Sequence, residues 1–180
     1  IDRCLVKHNI LWSSLSLDSV NPEEAYIGQG TFGRVAKAKW RRARQHVENV
    51  AIKFALRSSF GNNASAFDNA IQSFVKEAEL TMRVGSQAGT EVLIQVYGTV
   101  FGPLPQSLRS EFKLHDSEEG VGIVMRLERG GNLDSLLHPS DKTLLKPLDL
   151  NDKLSILTGI INGVKEIHFL NTCHGDLKPE

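Results

Sequence analysis

Gly28, Gly30 and Gly33 fall at G-x-G-x-x-G spacing, and the residues after them alternate with a period of two. Glycines at such spacing let the backbone come close to an oxyanion and offer it N–H groups without an intervening side chain. A dinucleotide-binding fold uses the same spacing, but there the glycines open a helix and an acidic residue follows about 20 positions on. Here Ala36, Ala38 and Trp40 alternate with Val35, Lys37 and Lys39, and the residue 20 beyond Gly33 is Lys53. The stretch AYIGQGTFGRVAKAKW therefore reads as strand, glycine-rich turn and returning strand. A plain glycine-rich hairpin is the competing reading.

Lys53 narrows the choice. It stands in Val50-Ala51-Ile52-Lys53, an ammonium on an otherwise apolar strand. Such a lysine either snorkels from a sheet edge or, downstream of a phosphate-cradling turn, reaches a nucleotide's phosphates. A cation so placed calls for an anion to hold it. Phe67, Ala70, Ile71, Phe74, Val75, Ala78 and Met82 recur at spacings of three and four, the apolar face of a helix. Ser65 and Asp68 fit a capping-box start. Glu77 lies on that face beside Ala78, whereas Glu79 falls on the solvated side.

The remainder is organised around these elements. Residues 1–20 are weakly strand-like, and the basic turn RRARQ precedes the strand NVAIKFAL. EVLIQVYGTV and GVGIVMRL read as two further strands. Between them, PLPQSLRSEFKLHDSEEG has the polar, proline-broken character of a surface insertion. Gly130 and Gly131 break the chain before a short helical NLDSLLH. Leu150, Leu154, Leu157, Ile161, Val164 and Ile167 then mark a long amphipathic helix. The order predicts an α+β lobe of strands with one helix, joined to a mainly helical one. In the closing HGDLKPE, Asp176 could accept a proton from a hydroxyl nucleophile and Lys178 could steady a transferring phosphate. His174 reads as a histidine bracing that loop.

GQGTFGRV, VAIK, FVKEAEL, IVMRLERGGNL and HGDLKPE together resemble the eukaryotic protein kinase family, in motif order and near its spacings. The resemblance runs from about Ala25 to Glu180. It implies a bilobal protein-kinase-like fold: a small antiparallel-sheet lobe with one helix, then the first helices of a large lobe. The implied boundaries are a flank at 1–20 and an incomplete kinase domain at 21–180, divided into small lobe 21–127, hinge 128–131 and large-lobe start 132–180. It implies ATP as cofactor, covered by the loop of Gly28, Gln29, Gly30, Thr31, Phe32, Gly33 and Val35. Lys53 would hold the phosphates and Glu77 would pair with it. Ile27, Val35 and Ala51 would cover the adenine, Met125 would guard the back pocket, and Arg126, Leu127 and Glu128 would form the hinge backbone. Asp176 matches the catalytic-loop aspartate, with Lys178 as its partner.

DLKPE resembles serine/threonine kinases, so the implied partner is a protein substrate with a Ser or Thr acceptor. FVKEAELTMRV, VYGTV and ERGGNLDSLLH are most similar to the tyrosine-kinase-like group. Gly175 departs from the family pattern, standing where most members carry an arginine that grips a phosphorylated activation loop. The metal-binding asparagine and the Asp-Phe-Gly aspartate would fall past Glu180. The chain is therefore expected to be an inactive fragment, with its Mg2+ ligands outside it. Rival readings are a pseudokinase or scaffold module, and a small-molecule kinase of the aminoglycoside or choline type, which shares HGDL.

Composition sets the remaining limits. The chain has 180 residues, with 21 basic against 21 acidic. Zero net charge supplies no electrostatic footprint for nucleic acid. No apolar run approaches the roughly 18 residues of a membrane span. Two cysteines make no disulfide framework, and a cytoplasmic or nuclear setting is expected.

Overall fold

The alternation that begins at Gly33 becomes the central hairpin of a six-stranded sheet. The computed structural model describes residues 9–18, 22–30, 33–42, 46–88, 93–112, 114, 116–138, 148–175 and 177–178. They fall into two units, one of Ile1–Arg83 with Ile94–Leu127, the other of Val84–Leu93 with Glu128–Glu180. The first holds strands β1 (Leu15–Leu17), β2 (Tyr26–Gly30), β3 (Gly33–Arg41), β4 (Val47–Leu56), β5 (Val96–Pro103) and β6 (Glu119–Arg126). Its helices are the single turn α1 (Pro22–Ala25), the long α2 (Ala64–Ala88) as far as Arg83, and α3 (Gln106–Phe112). Every strand pairing is antiparallel, in the order β1-β3-β4-β6-β5. β2 pairs with the first half of β3 and β1 with its second half, so the two share one edge.

β4 is covered on both sides, which explains its nearly continuous apolar run. Val50, Ile52, Phe54 and Leu56 face one core with Ala36, Ala38, Val100 and Val124. Ala55 faces the other, where α2 lays Phe67, Ile71, Phe74 and Ala78 against Val121 and Ile123. The predicted helix thus forms with the predicted face inward. Its start differs from the expected capping box: the Asn63 side chain, not Ser65, accepts the Ala66 N–H, at 3.0 Å, and Ser65 Oγ donates to the same oxygen.

Two segments read as peripheral belong to the first core. Ile10 N–H donates to the Thr99 carbonyl on β5 at 2.8 Å. The chain then makes a 3-10 turn at Trp12–Ser14 and pairs Leu15–Leu17 with β3. This strap joins both edges of the sheet, and Ile10, Trp12, Leu15 and Leu17 are buried beneath it. The proline-broken insertion folds as α3 and buries Leu104 and Leu108 in the same cluster. Glu111 accepts the Leu17 N–H at 3.2 Å, tying insertion to strap. Glu118 is also buried and accepts the Ser58 N–H at 2.9 Å. The apolar positions of both segments are interspersed with polar ones at no single period, so periodicity alone did not reveal them.

Cations on β3 and in the basic turn that follows it find carboxylate partners. Lys39 pairs with Asp18 at 2.9 Å, and Arg42 pairs with Glu48 at 2.9 Å while lying over the Trp40 ring. Glu48 also accepts the Tyr97 hydroxyl. Burial pushes the Tyr97 phenol up to about 12, reinforced by that hydrogen bond.

In the second unit, Asn132 caps α4 (Leu133–Leu137) by accepting the Ser135 N–H at 2.7 Å. Asp149 and Asp152 form a reciprocal capping box on α5 (Leu150–Phe169). The apolar stripe of α5 forms at the predicted positions and is open over most of its length: Leu150, Leu154, Leu157 and Ile161 are exposed. Val164 and Ile167 instead line a cavity of about 370 Å³ with Leu93, Ile156, Ile160 and His174.

Replacing Trp12 should test the strap. Trp12→Ala is expected to cost about 3–5 kcal/mol in denaturant unfolding, the range for a buried aromatic. Leu11→Ala, at a side chain 65% exposed, should stay within about 0.5 kcal/mol of the parent.

Candidate functional site

The site is built from the glycine hairpin upward. β2 and β3 pair Gly28↔Val35, Gln29↔Arg34 and Gly30↔Gly33. A register shift between Tyr26 and Gly28 places Ile27 at a bulge, where it is exposed. Thr31, Phe32 and the side chain of Gln29 lie outside the described residues. The first and third glycines answer to different constraints. A Cβ on Gly33 would stand 2.5 Å from the Phe54 carbonyl oxygen and 3.2 Å from Phe74 Cζ. A Cβ on Gly28 would meet nothing closer than Val35, at 3.9 Å. The hairpin itself therefore demands glycine at 33, while at 28 the absence of a side chain leaves the outer surface open.

Residues directly opposite in an antiparallel sheet share a face. Val35 lies opposite Lys53, and Lys53 opposite Ile123. One step along, Ala51 lies opposite Met125. Val35, Ala51, Lys53 and Met125 are thus on the α2 side of the sheet, four of the residues that the resemblance assigned to nucleotide binding. Lys53 Nζ donates to both carboxylate oxygens of Glu77, each at 2.7 Å. The Lys53 side chain is 29% exposed and that of Glu77 46%. Half-solvated ion pairs contribute only about 0–1 kcal/mol to stability, so this pair matters for where it holds the ammonium rather than for folding. Glu79, the rejected rival, is exposed.

Phe74 lies one helical turn before Glu77, and its spacing predicts only a core position. Its ring centroid is 5.8 Å from Lys53 Nζ. The available signal was its spacing of three from Glu77 on one helix face.

At the end of β6, Arg126 N–H donates to the Gln95 carbonyl at 2.8 Å. Leu127 follows beyond the strand end, and Glu128 opens the second unit. In that unit His174 and Lys178 are exposed, and both make contacts of their own. Asp176 lies outside the described residues. Gly175 has φ +77°, a left-handed conformation in which an arginine side chain would be strained. Backbone geometry thus accounts for glycine where the resemblance leads one to expect arginine. Among the described residues no three His, Cys, Asp or Glu side chains gather as a metal site, so no magnesium ligand is assigned.

An apolar sheet face carrying one clamped ammonium, beside a glycine-rich hairpin, suits a flat apolar group attached to a polyanion. The sequence signature described as protein tyrosine and serine/threonine kinase matches residues 23–179. A search of the curated proteins finds no significant match.

The two glycines should respond differently to the smallest change. Gly33→Ala is expected to destabilise by about 1–3 kcal/mol, since either the Phe54 backbone or Phe74 must move. Gly28→Ala should unfold within about 0.5 kcal/mol of the parent. Chemical denaturation of the two variants measures both.

Proposed function

The chain belongs to the protein tyrosine and serine/threonine kinase family, and we propose that it is the ATP-binding part of a protein serine/threonine kinase. The observation that carries this reading is the Lys53–Glu77 pair, held at 2.7 Å on the sheet face beside the glycine turn. An ammonium fixed by a carboxylate stays pointed at one place when a triphosphate arrives, and fixed charges stabilise transferring phosphoryl groups without reorganising. Bound ATP would supply the γ-phosphoryl group. Val35 and Ala51 would pack on the adenine with Ile27, and the backbone from Gly28 to Gly33 would approach the phosphates. The backbone of residues 126–128 would hydrogen-bond the base edge, with Met125 bounding the site behind it.

Asp176 would accept the proton of the substrate hydroxyl, and Lys178 would neutralise charge on the group in flight. The Lys178-Pro179-Glu180 sequence after Asp176 favours Ser and Thr acceptors over Tyr. Similarity to the tyrosine-kinase-like group rests on the phrases FVKEAELTMRV, VYGTV and ERGGNLDSLLH. The proposed boundaries remain small lobe 21–127, linker 128–131 and large-lobe start 132–180, with the strap from residue 9 packed on the small-lobe sheet. Magnesium would accompany ATP, with its ligands expected outside this chain. The 180-residue chain alone is expected to bind nucleotide weakly and without turnover. No helix among the described residues is long and apolar enough to cross a membrane. Cys173 is a free thiol, in keeping with the reducing cytoplasm we propose as the setting.

Lys53→Met in the parent protein tests the reading. Phosphoryl transfer to a protein acceptor should fall by a factor of about 10²–10³ or more, the scale for removing one preorganised electrostatic contact. The melting temperature should hold, because the lost pair contributes little to folding. Undiminished transfer by the purified variant would refute the assignment. Phosphoamino-acid analysis of the product should find phosphoserine or phosphothreonine.

A further inference from the structure

Phe74 occupies a place that no other described core residue shares. Its side chain is 1% exposed, in the cluster of Ala55, Val121 and Ile123 beneath the sheet. Three parts of the site converge on this one ring. Lys53 Nζ lies 5.8 Å from its centroid, inside the roughly 6 Å reach of a cation–π contact. Its Cζ lies 3.2 Å from the point where Gly33 would carry a Cβ. Glu77, which accepts from Lys53, stands one turn further along the same helix. We infer that Phe74 is a positioning residue: its ring sets the depth at which the Lys53 ammonium stands between Glu77 and the glycine hairpin. Its consequence for nucleotide binding rests on reading Lys53 as the phosphate anchor.

The physical case turns on shape and on charge distribution. A flat ring can fill the space under Gly33 while presenting π density to an ammonium, and a branched aliphatic chain can do neither. α2 also supplies a matched control. Phe67, two turns earlier, is equally buried in the same cluster and carries a cation of its own, Arg57, at 5.7 Å. The atoms nearest a Cβ on Gly33 belong to Phe54 and Phe74, not to Phe67.

The test compares Phe74→Leu with Phe67→Leu, with Phe74→Met as a second variant should the first fold poorly. Two readouts are needed. The first is the rate at which an amine-acylating reagent modifies Lys53 in the nucleotide-free chain, followed by peptide mass spectrometry. The second is KM for ATP and kcat in the parent protein. Both Leu variants should lose similar stability. Lys53 acylation should rise about threefold in Phe74→Leu and stay unchanged in Phe67→Leu, the scale of one cation–π contact. KM for ATP should rise about fivefold in Phe74→Leu with kcat nearly constant, as removal of uniform binding requires. Equal changes in the two variants would reduce Phe74 to core packing and overturn the inference. Faster acylation with an unchanged KM would uphold the hold on Lys53 and refute the phosphate-anchor reading.

Discussion

The parity of β4 is the constraint on which the rest of the structure depends. Val50, Ile52, Phe54 and Leu56 are committed to one core, so Ala51, Lys53 and Ala55 must emerge on the other face. A slip of one residue would drive the Lys53 ammonium among Trp12, Leu104 and Val124 and bring Phe54 out beneath α2. The cost of burying an unpaired ammonium forbids that register. What reads as a lysine out of place in an apolar strand is thus a consequence of the strand's alternation.

Holding that register takes material on both faces. On one side α2 supplies Phe67, Ile71, Phe74 and Ala78, and with Glu77 the partner of the exposed cation. On the other, the strap and α3 cover the even-numbered residues. The neighbouring strand contributes by its lack of side chains. A Cβ on Gly122 would lie 2.8 Å from the Lys53 carbonyl oxygen, and one on Gly120 would lie 2.9 Å from Leu104 Cδ1. At Gly122 the clash is with backbone, so β6 can pack this closely behind the site only with glycine there, whereas at Gly120 the Leu104 side chain would have to shift. The matched family region begins at residue 23, yet the sheet it describes is completed by residues that precede it.

The sequence disclosed what short-range chemistry determines. Three glycines with an alternating run behind them announced the hairpin, and seven apolar residues at helical spacing announced α2. The Lys53–Glu77 pair was legible because one charged residue stood on each apolar face. Long-range packing was not legible. Trp12 and Leu108 look like scattered apolar residues until the sheet exists for them to cover, and Asn63 competes with Ser65 as a helix cap on equal chemical terms. The α5 stripe has the expected periodicity, but periodicity does not say what covers it, and Leu154, Leu157 and Ile161 are exposed. Phe74 could be placed in the core from spacing alone. Its contact with Lys53 follows only from the register of β4 against α2.

The central claim is that the α2 side of the sheet, at Lys53, receives a nucleotide. Hydrogen–deuterium exchange with and without Mg-ATP addresses it most directly, since it reports the surface engaged, independently of turnover. The account predicts slowed exchange in peptides covering residues 26–36, 50–54 and 125–128, with α3 at 106–112 unchanged. Protection confined to the strap and α3, or none at saturating nucleotide, would contradict it.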